Sequence, residues 1–378
     1  MTNKLPIGWT LKRLGDITER ITRKNTINNN NVLTISAEHG FISQDKFFTK
    51  IVASKDLSKY ILLYKGDFCY NKSYCRGYPY GVFRKLKNYD VGVATSLYIY
   101  FKIIEGDSTF FEYLFDVGTL NKQLSIISQE GVRNHGLLNV PIEDFFNMTV
   151  PFPPIEEQKR IADILSTFDD LIENLTKLIE KKELYKKGVM QRVLSGEVRF
   201  NGFTDEWESY KFEDIFIRIP GKKYQINQNE YKEIGKYPVI DQGKKYIAAY
   251  SDNIDKVFNN DNIIVFGDHT RIFKYIDFNF IIGADGVQLL KTNKEFDTKF
   301  MYYNLSNQYI PKTGYNRHFK FILDMSFYIP PSIEEQNKIA ELLTLIDKDI
   351  EILKQLLHLR KLQKKGLMQK LLTGEVRL

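Results

Sequence analysis

Apolar side chains recur at alternating steps of four and three residues in two separate blocks of the chain. Such steps form the heptad seam of a long amphipathic helix. Paired prolines precede both blocks, and Lys and Arg crowd their last turns, as expected at the two ends of a helix. Each predicted helix has about 39 residues and measures roughly 58 Å at 1.5 Å per residue. The predicted seam positions are Ile161, Leu165, Phe168, Ile172, Leu175, Ile179, Ile339, Leu343, Ile346, Ile350, Leu353 and Leu357.

The two blocks are copies of each other. Residues 155–200 and 333–378 align without a gap at a constant offset of 178 positions, and about half of the positions are identical. Both copies begin with the sequence IEEQ and end with GEVR plus one residue. A helix of this length cannot bury its seam within its own small domain, so the two copies are predicted to pack together as an intramolecular coiled coil. The alternative is two unrelated helices, each on its own core, and the matching steps disfavour it.

The ends of the predicted helices carry further signals. Ser332 and Glu335 have the spacing of a capping box at the start of the second helix. The apolar seam breaks at equivalent places, at Lys182 and Lys186 in the first copy and at Arg360 and Lys364 in the second. Two interpretations of the break stay open. Either these ends meet another protein, or they are solvated ends whose lysine stems lie along apolar surface.

Each helical block follows a segment that begins near one of the two tryptophans, Trp9 and Trp207. Short runs of Tyr, Phe, Ile and Val, such as 91–104 and 262–267, predict strands, whereas 110–124 predicts a helix. Each segment ends with a Gly-x-x-x-His element before the prolines. The segments otherwise share little sequence. This pattern indicates one scaffold that performs two similar but non-identical tasks.

Composition narrows the possible classes of protein. The chain has 378 residues and a formal net charge of +7, and its helical blocks 155–196 and 333–374 contribute zero and +2. The basic excess therefore lies mostly in the Trp-headed segments, where it permits a nucleic-acid partner. Two cysteines cannot form a disulfide framework, and no run of about 18 apolar residues or secretory signal is evident. We therefore expect a cytoplasmic protein.

Motifs for catalysis are missing from the sequence. No two glycines are two positions apart, so no dinucleotide fingerprint exists, and Leu137 follows Gly136 where a P-loop requires lysine. The five histidines lack the spacing of metal ligands. We therefore predict no catalytic residue, no metal site and no cofactor bound by this chain.

Basic and polar side chains cluster in loop-like stretches of both Trp-headed segments. Arg and Lys pair with phosphates or guanine edges, Asn suits adenine, and Tyr hydroxyls reach phosphates. The alternative for the first stretch is a twisted hairpin with solvated basic residues. For His135 and His318, a structural role, in which buried hydrogen bonds anchor the hinge, is favoured at least as strongly as a contact with DNA. The candidate DNA contacts are Lys72, Arg76, Tyr78, Arg84, Lys85, Arg133, Asn134, Lys244, Lys245, His269, Arg271, Asn316 and Arg317.

The order of these elements resembles the specificity (S) subunit of type I restriction–modification enzymes. Two variable Trp-headed segments alternate with two copies of a block that runs from P-P-x-x-E-Q through K-K-G-[VL]-M-Q to G-E-V-R. The resemblance covers essentially the whole chain. The hinge-and-helix signature is its most specific part.

This resemblance implies an α+β fold in which two globular target-recognition domains are separated by two long helices, packed as an antiparallel coiled coil. The implied boundaries are 1–150 and 197–329 for the recognition domains, and 151–196 and 330–378 for the helices. Each domain is expected to read one half of a bipartite DNA target, with the helices as spacer. The implied partners are two methyltransferase subunits and restriction subunits, which would carry S-adenosylmethionine, ATP and Mg²⁺. A stand-alone two-headed DNA-binding or scaffold protein, and more distantly a nuclease, are the rival interpretations.

Overall fold

A computed structural model describes residues 5–47, 54, 56–74, 77–130, 136–259, 262–314 and 316–378. The chain forms two compact units. The first comprises Met1–Asn174 together with Leu357–Leu378, and the second comprises Leu175–Leu356. Among the described residues, no helix is long and apolar enough to cross a membrane.

The first unit contains twelve short strands and five short helices, followed by the start of a long helix. In chain order they are β1 (Thr10–Arg13), α1 (Leu14–Ile17), β2 (Thr18–Arg20), β3 (Leu33–Ser36), β4 (Gly40–Ser43), α2 (Gln44–Phe47), β5 (Ile61–Tyr64), β6 (Phe68–Asn71), β7 (Val82–Lys85), β8 (Val91–Ala94), β9 (Ile99–Ile103), α3 (Ser108–Asp116), α4 (Asn121–Ile127), β10 (Gln129–Glu130), β11 (Leu138–Asn139), α5 (Ile142–Asn147), β12 (Thr149–Phe152) and α6 (Ile155–Val193). These counts refer to the described part of the chain.

The second unit begins within α6 and continues into another mixed domain and the second long helix. Its further elements are β13 (Glu208–Lys211), α7 (Phe212–Ile215), β14 (Phe216–Ile219), β15 (Tyr237–Ile240), β16 (Ala249–Ser251), β17 (Val257–Phe258), β18 (Ile263–Gly267), β19 (Phe273–Ile276), β20 (Phe280–Ile282), β21 (Val287–Thr292), α8 (Thr298–Asn307), α9 (Phe319–Leu323), β22 (Ser326–Ile329) and α10 (Ile333–Leu372). The last turns of α10 belong to the first unit.

Each domain contains its own four-stranded central sheet, and the two sheets have the same topology. The strand order is β2-β9-β6-β7 in the first domain and β14-β21-β18-β19 in the second, and all the strand pairs are antiparallel. A two-stranded neck closes each domain, formed by β1 with β12 and by β13 with β22. The smaller sheets differ, because β15 and β20 pair in parallel whereas β3–β4 and β5–β8 are separate antiparallel pairs. The α+β fold with an internal repeat is therefore confirmed.

The strands predicted from hydrophobic runs are present, but the helix predicted at 110–124 is not continuous. The run 91–104 forms β8 and β9, and 262–267 forms β18. In place of one helix, α3 and α4 are separated at Gly118, whose φ of +81° lies in the left-handed region. The prediction of a single helix there was wrong, because the apolar spacing continues through a residue that ends the first helix.

Aromatic side chains fill the cores of both domains. In the first, Phe68 stacks on Phe101 with ring centroids 5.5 Å apart, and Tyr70 lies 5.1 Å from Phe145. In the second, the rings of Phe266 and Phe273 are 4.7 Å apart. Much of the high aromatic content thus serves packing, because large rings bury much apolar area and pair favourably at these distances.

The two long helices run antiparallel within each unit. In the second unit, Lys182 binds Asp349 at 3.1 Å, and four residues later Lys186 binds Asp347. The residue numbers of the aspartates in α10 fall as those of the lysines in α6 rise, so the two helices are antiparallel. Lys364 of α10 likewise binds Asp169 of α6 in the first unit. The antiparallel helix pair expected from the resemblance is confirmed.

The predicted seam positions are buried to different extents. Ile161 and Leu165 share a core cluster with Met368 and Leu371 of α10 and with the aromatic core of the first domain. The seam is therefore covered partly by the other helix and partly by the mixed domain of the same unit. Phe168, Ile172, Leu353 and Leu357 are half-buried, and the buried positions are Ile161, Leu165, Leu175, Ile179, Ile339, Leu343, Ile346 and Ile350.

Only half of the predicted capping box forms at the start of α10. The Ser332 hydroxyl accepts a hydrogen bond from the backbone N–H of Glu335 at 3.3 Å. The Glu335 carboxylate does not return the bond, because it is engaged by Arg199 at 2.8 and 2.7 Å. The buried ion pair therefore replaces only the glutamate half of the capping box.

Candidate DNA interface and domain–helix junctions

Three loops of the second domain meet beside the β18–β19 turn. The first is the β15–β16 loop, in which the Gln242 side-chain oxygen accepts a bond from the His269 backbone N–H at 3.2 Å. The second is the turn itself. The third is the Gly-x-x-x-His segment, where the backbone N–H of His318 donates to the Asp268 carbonyl at 3.0 Å. The structure thus brings together three stretches that the sequence analysis had singled out separately.

His318 is a structural anchor. Its side chain is 1% exposed, and its Nδ1 lies 2.9 Å from the Asp268 carbonyl oxygen. Asp268 is also buried, and its carboxylate accepts a bond from the backbone N–H of Phe319 at 2.8 Å. These bonds fix the last turn of the segment against the β18–β19 turn. They agree with the structural alternative for this histidine.

The candidates of the second domain differ in accessibility. Arg271 is half-buried, adopts a φ of +62°, and donates to the Ile310 carbonyl at 3.1 Å. His269 is also half-buried, and Asn316 donates to the Thr313 carbonyl. The side chains that remain exposed are Lys244, Lys245, Asn316 and Arg317. Cations that the sequence analysis missed are exposed on either side of the Gly-x-x-x-His segment, at Lys312 and Lys320.

The first domain brings the two corresponding stretches together. The carbonyl of Lys72, just after β6, accepts a bond from the Leu138 N–H at 2.9 Å, and the Tyr74 N–H donates to the Gly136 carbonyl at 2.6 Å. The chain that follows the first Gly-x-x-x-His element therefore runs beside the β6–β7 loop. Lys72 and Tyr78 are half-buried. Arg76, Arg133, Asn134 and His135 lie outside the described residues.

Arg84 and Lys85 have partners within the first domain. The Arg84 side chain is 16% exposed, and its guanidinium binds Asp116 at 2.8 Å and donates to the Ala37 carbonyl at 3.0 Å. Lys85 donates to the hydroxyls of Ser108 and Thr109 at 2.8 and 3.4 Å, and burial lowers the pKa of its ammonium. DNA contact by these two side chains stays a prediction that their present bonds disfavour.

The lysines at the seam breaks complete a junction between each domain and the helices. Lys364 binds Asp169, which accepts a hydrogen bond from the Tyr113 hydroxyl at 2.6 Å, and the Lys364 ammonium lies 4.9 Å from the Tyr113 ring centre. Burial and the neighbouring carboxylate raise the pKa of the tyrosine. Neither interpretation of the break describes this lysine, which has partners within its own unit.

The second unit has the same junction. Lys186 binds Asp347, Asp347 accepts from the Tyr303 hydroxyl at 2.8 Å, and the ammonium lies 5.5 Å from the Tyr303 ring centre. The two lysines and the two aspartates are each separated by the repeat offset. The seam breaks therefore mark where each mixed domain meets the helix pair.

The IEEQ and GEVR motifs bind each other across copies. In the first unit, Glu157 accepts from Arg377 at 2.8 Å and from the indole N–H of Trp9 at 3.0 Å. In the second unit, the Arg199 guanidinium donates two hydrogen bonds to the Glu335 carboxylate. Each buried glutamate of one copy thus pairs with the arginine in the GEVR motif of the other copy. This reciprocity explains why both motifs recur in both blocks.

The glutamine of each IEEQ motif links the helix to its own domain. Gln158 donates to the Pro153 carbonyl at 2.8 Å and accepts from the Asp107 N–H at 2.8 Å. Gln336 makes the equivalent bonds with Pro330 and Asp297, at 2.9 and 2.8 Å. Asp107 and Asp297 also cap α3 and α8. Each helix start is therefore fixed relative to one domain helix.

The duplicated construction matches a known family twice. The model described as "Type I restriction modification DNA specificity domain" matches residues 6–183 and 204–359. This chain belongs to that family. The two matches correspond to the two domains, each with the greater part of the long helix that follows it.

Relatives of this specificity-domain chain include two proteins from Methanocaldococcus jannaschii. The chain is 29% identical over 279 residues to the type I restriction enzyme MjaVIII specificity subunit, and 32% identical over 263 residues to a protein described as a putative type I restriction enzyme MjaX specificity subunit. The alignments cover 64% and 61% of this chain. The chain spans 65% and 60% of the length of these relatives.

Solved structures share the fold. The S subunit of a type I restriction-modification system from M. genitalium superimposes with a TM-score of 0.62 at 16% identity, over 98% of both chains. A chain from a structure concerned with complex assembly and conformational transition of the type I R-M system gives 0.54 at 18% identity, over 99% of this chain and 100% of that one. At these identities the similarity establishes the architecture.

The sequence analysis did not foresee the contacts by which several polar residues join the helices and domains of this specificity-domain chain. The buried glutamates, glutamines and Trp9 carried a signal, because each belongs to a motif that occurs twice. Lys274 carried none, since it stands inside an apolar strand and its bonding partners lie some thirty positions earlier. Among the described residues, no group of three or more His, Cys, Asp or Glu side chains could hold a metal ion.

Proposed function

We propose that this chain is the DNA-reading specificity subunit of a type I restriction–modification complex. The observation that carries the proposal is the duplicated specificity domain, in which two central sheets of identical topology hold loops of different sequence. Two like scaffolds with unlike loops suit a target made of two different half-sites. The antiparallel helix pair would set the number of base pairs between the half-sites.

In this proposal the chain performs no chemistry. It would act in the cytoplasm and direct two methyltransferase subunits, which use S-adenosylmethionine, and restriction subunits, which use ATP and Mg²⁺. The exposed cations around the β18–β19 turn support a DNA partner, because lysine and arginine neutralise phosphates and donate to guanine edges. The relatives described as specificity subunits support the same assignment.

The proposal predicts a bipartite methylation motif. The chain should copurify with a methyltransferase encoded beside it, and cells that express both should carry N6-methyladenine at two unlike half-sites separated by a constant spacer. Omitting this chain is the control and should abolish the pattern. A chain that binds DNA without retaining the methyltransferase would instead favour a stand-alone DNA-binding protein. Mg²⁺-dependent cleavage by the purified chain would favour a nuclease.

Replacing Lys244 or Lys245 with alanine should weaken DNA binding by the assembled complex in a salt-dependent way. A lysine that neutralises one phosphate contributes about one unit to the slope of log affinity against log salt concentration. We therefore expect each variant to reduce that slope by about one. The Lys122→Ala variant, which removes an exposed lysine from α4, is the matched control. Equal slopes for all four proteins would exclude phosphate contact by this loop.

A further inference from the structure

A cation occupies the same place on the edge strand of both central sheets. Arg84 of β7 pairs with Cys69 of β6, and Lys274 of β19 pairs with Val265 of β18. The strands β7 and β19 hold equivalent edge positions in the two sheets. The next strands inward also match. Cys69 of β6 pairs with Tyr100 of β9, and Val265 of β18 pairs with Leu289 of β21. Arg84 and Lys274 are therefore structural counterparts, although the surrounding sequences differ.

Each of these cations binds the backbone of a neighbouring hairpin loop. Arg84 donates to the Ala37 carbonyl through Nε at 3.0 Å and again through Nη2. Ala37 lies in the turn that joins β3 to β4. Lys274 donates to the carbonyls of Asp241 and Lys245 at 2.8 and 2.6 Å, and both belong to the loop between β15 and β16. Both domains thus tie a hairpin loop to the edge of the central sheet through backbone carbonyls.

Lys274 is almost completely buried, although the burial of an ammonium group is unfavourable. Its side chain is 4% exposed, and the Asp241 carboxylate lies 3.7 Å from its ammonium. An ammonium out of water is unfavourable unless hydrogen bonds and charge compensate for the lost hydration. Burial accordingly lowers the pKa of Lys274, and Asp241 opposes that change. An apolar residue would suffice for packing here, whereas only a donor can hold two carbonyls of one loop.

The loops held in this way present exposed side chains that can read bases. The β3–β4 turn carries Glu38 and His39, and the β15–β16 loop carries Lys244 and Lys245. A carboxylate accepts from the amino group of cytosine, and lysine donates to guanine or to phosphate. The loop Asp241–Lys245 also contacts the β18–β19 turn through Gln242. The tethered loops therefore combine exposure, suitable chemistry and a fixed backbone.

We propose that Arg84 and Lys274 are positioning residues that hold these two hairpin loops in the shape in which each recognition domain reads its half-site. This rests on the proposed function and deepens it, because it assigns the DNA-reading element of each half. The reading side chains are those on the tethered loops, and Arg84 acts through its loop. A loop that is ordered before binding loses less conformational entropy on DNA, which strengthens binding to the matching bases. A loop held in one shape also cannot rearrange to suit other bases, so its tether sharpens discrimination.

The test uses the full chain in complex with its methyltransferase and compares binding to DNA with one altered half-site at a time. Lys274→Met removes both hydrogen bonds and keeps an unbranched stem. We expect it to reduce discrimination at one half-site by about tenfold, the effect of having to order the backbone of about one loop residue on binding. Arg84→Met should act on the other half-site. Lys274→Gln, which keeps a donor, should retain more discrimination than Lys274→Met.

A second readout separates positioning from stability. Backbone amides of residues 242–246 should exchange with solvent faster in Lys274→Met, whereas exchange in β18 and β21 stays as in the unaltered chain. Lys232→Met is the matched control, because it removes an exposed ion pair with Asp252 in the same domain.

Three results would overturn or redirect the inference. A lower Tm with unchanged loop exchange and unchanged discrimination would leave Lys274 a purely structural residue. Equal losses at both half-sites would indicate general destabilisation in place of a local tether. An unaltered complex without any bipartite preference would refute the proposed function itself, before any variant is compared.

Discussion

A chain that carries the first recognition domain in both positions should direct methylation to a palindromic target. In this variant a second copy of residues 14–148 replaces residues 212–325, and the original residues 14–148 stay in place. The half-site read by the first domain should then appear twice in inverted orientation, because the helix pair is antiparallel and presents the two domain positions as pseudo-equivalent. Mapping N6-methyladenine in cells that express the variant with its methyltransferase measures the result.

The structure supplies the junctions for this exchange. They lie at the necks, where the Leu14 N–H donates to the Met148 carbonyl at 2.8 Å and the Phe212 N–H donates to the Met325 carbonyl at 3.3 Å. Both neck pairs, β1 with β12 and β13 with β22, stay with the helices. The transplanted domain should fit its new position, because Tyr113 can meet Asp347 as Tyr303 does in the natural chain.

The reciprocal duplication is the control for the palindrome. Placing residues 212–325 in both positions should produce a palindrome of the other half-site. A motif that keeps two unlike halves in either variant would contradict modular recognition by the two domains. Loss of methylation in both variants, with normal copurification of the methyltransferase, would indicate that the domains are not interchangeable at their junctions.

Inserting one heptad into both long helices should lengthen the spacer between the half-sites and leave the half-sites unchanged. The insertions belong after Asn174 and after Leu356, where the chain passes between its two compact units. Seven helical residues add about 10.5 Å at 1.5 Å per residue. With DNA rising about 3.4 Å per base pair, the spacer should grow by about three base pairs. Methylation mapping again provides the measurement.

The matched control places the heptad in α6 alone. The junction pairs Lys186–Asp347 and Lys364–Asp169 then compete for register, because one helix has grown and the other has not. We expect this variant to lose stability and bind DNA poorly, with no new spacer of uniform length. A doubly extended chain that methylates the original spacing would show that the helices do not set it.

The local patterns of the sequence were sufficient for the long helices but insufficient for several shorter features. The seam positions recur at fixed steps in α6 and α10, so they could be read residue by residue. The separation of α3 from α4 depended on one left-handed glycine, which interrupts the backbone without interrupting the apolar spacing. The candidate DNA contacts were chosen by residue type, and type does not reveal whether an arginine such as Arg84 is bound internally.

Primary structure alone established the duplication, the two helices with their seams, and the unlike character of the intervening segments, because repeats and periodicity are properties of neighbouring residues. The antiparallel sense came only from a family resemblance, since a heptad pattern is the same in both directions. Three-dimensional packing was needed to pair Glu157 with Arg377, Lys364 with Asp169, and Lys274 with two loop carbonyls. These contacts join residues far apart in the chain, and a buried charge acquires its role only from the partner that the fold brings to it.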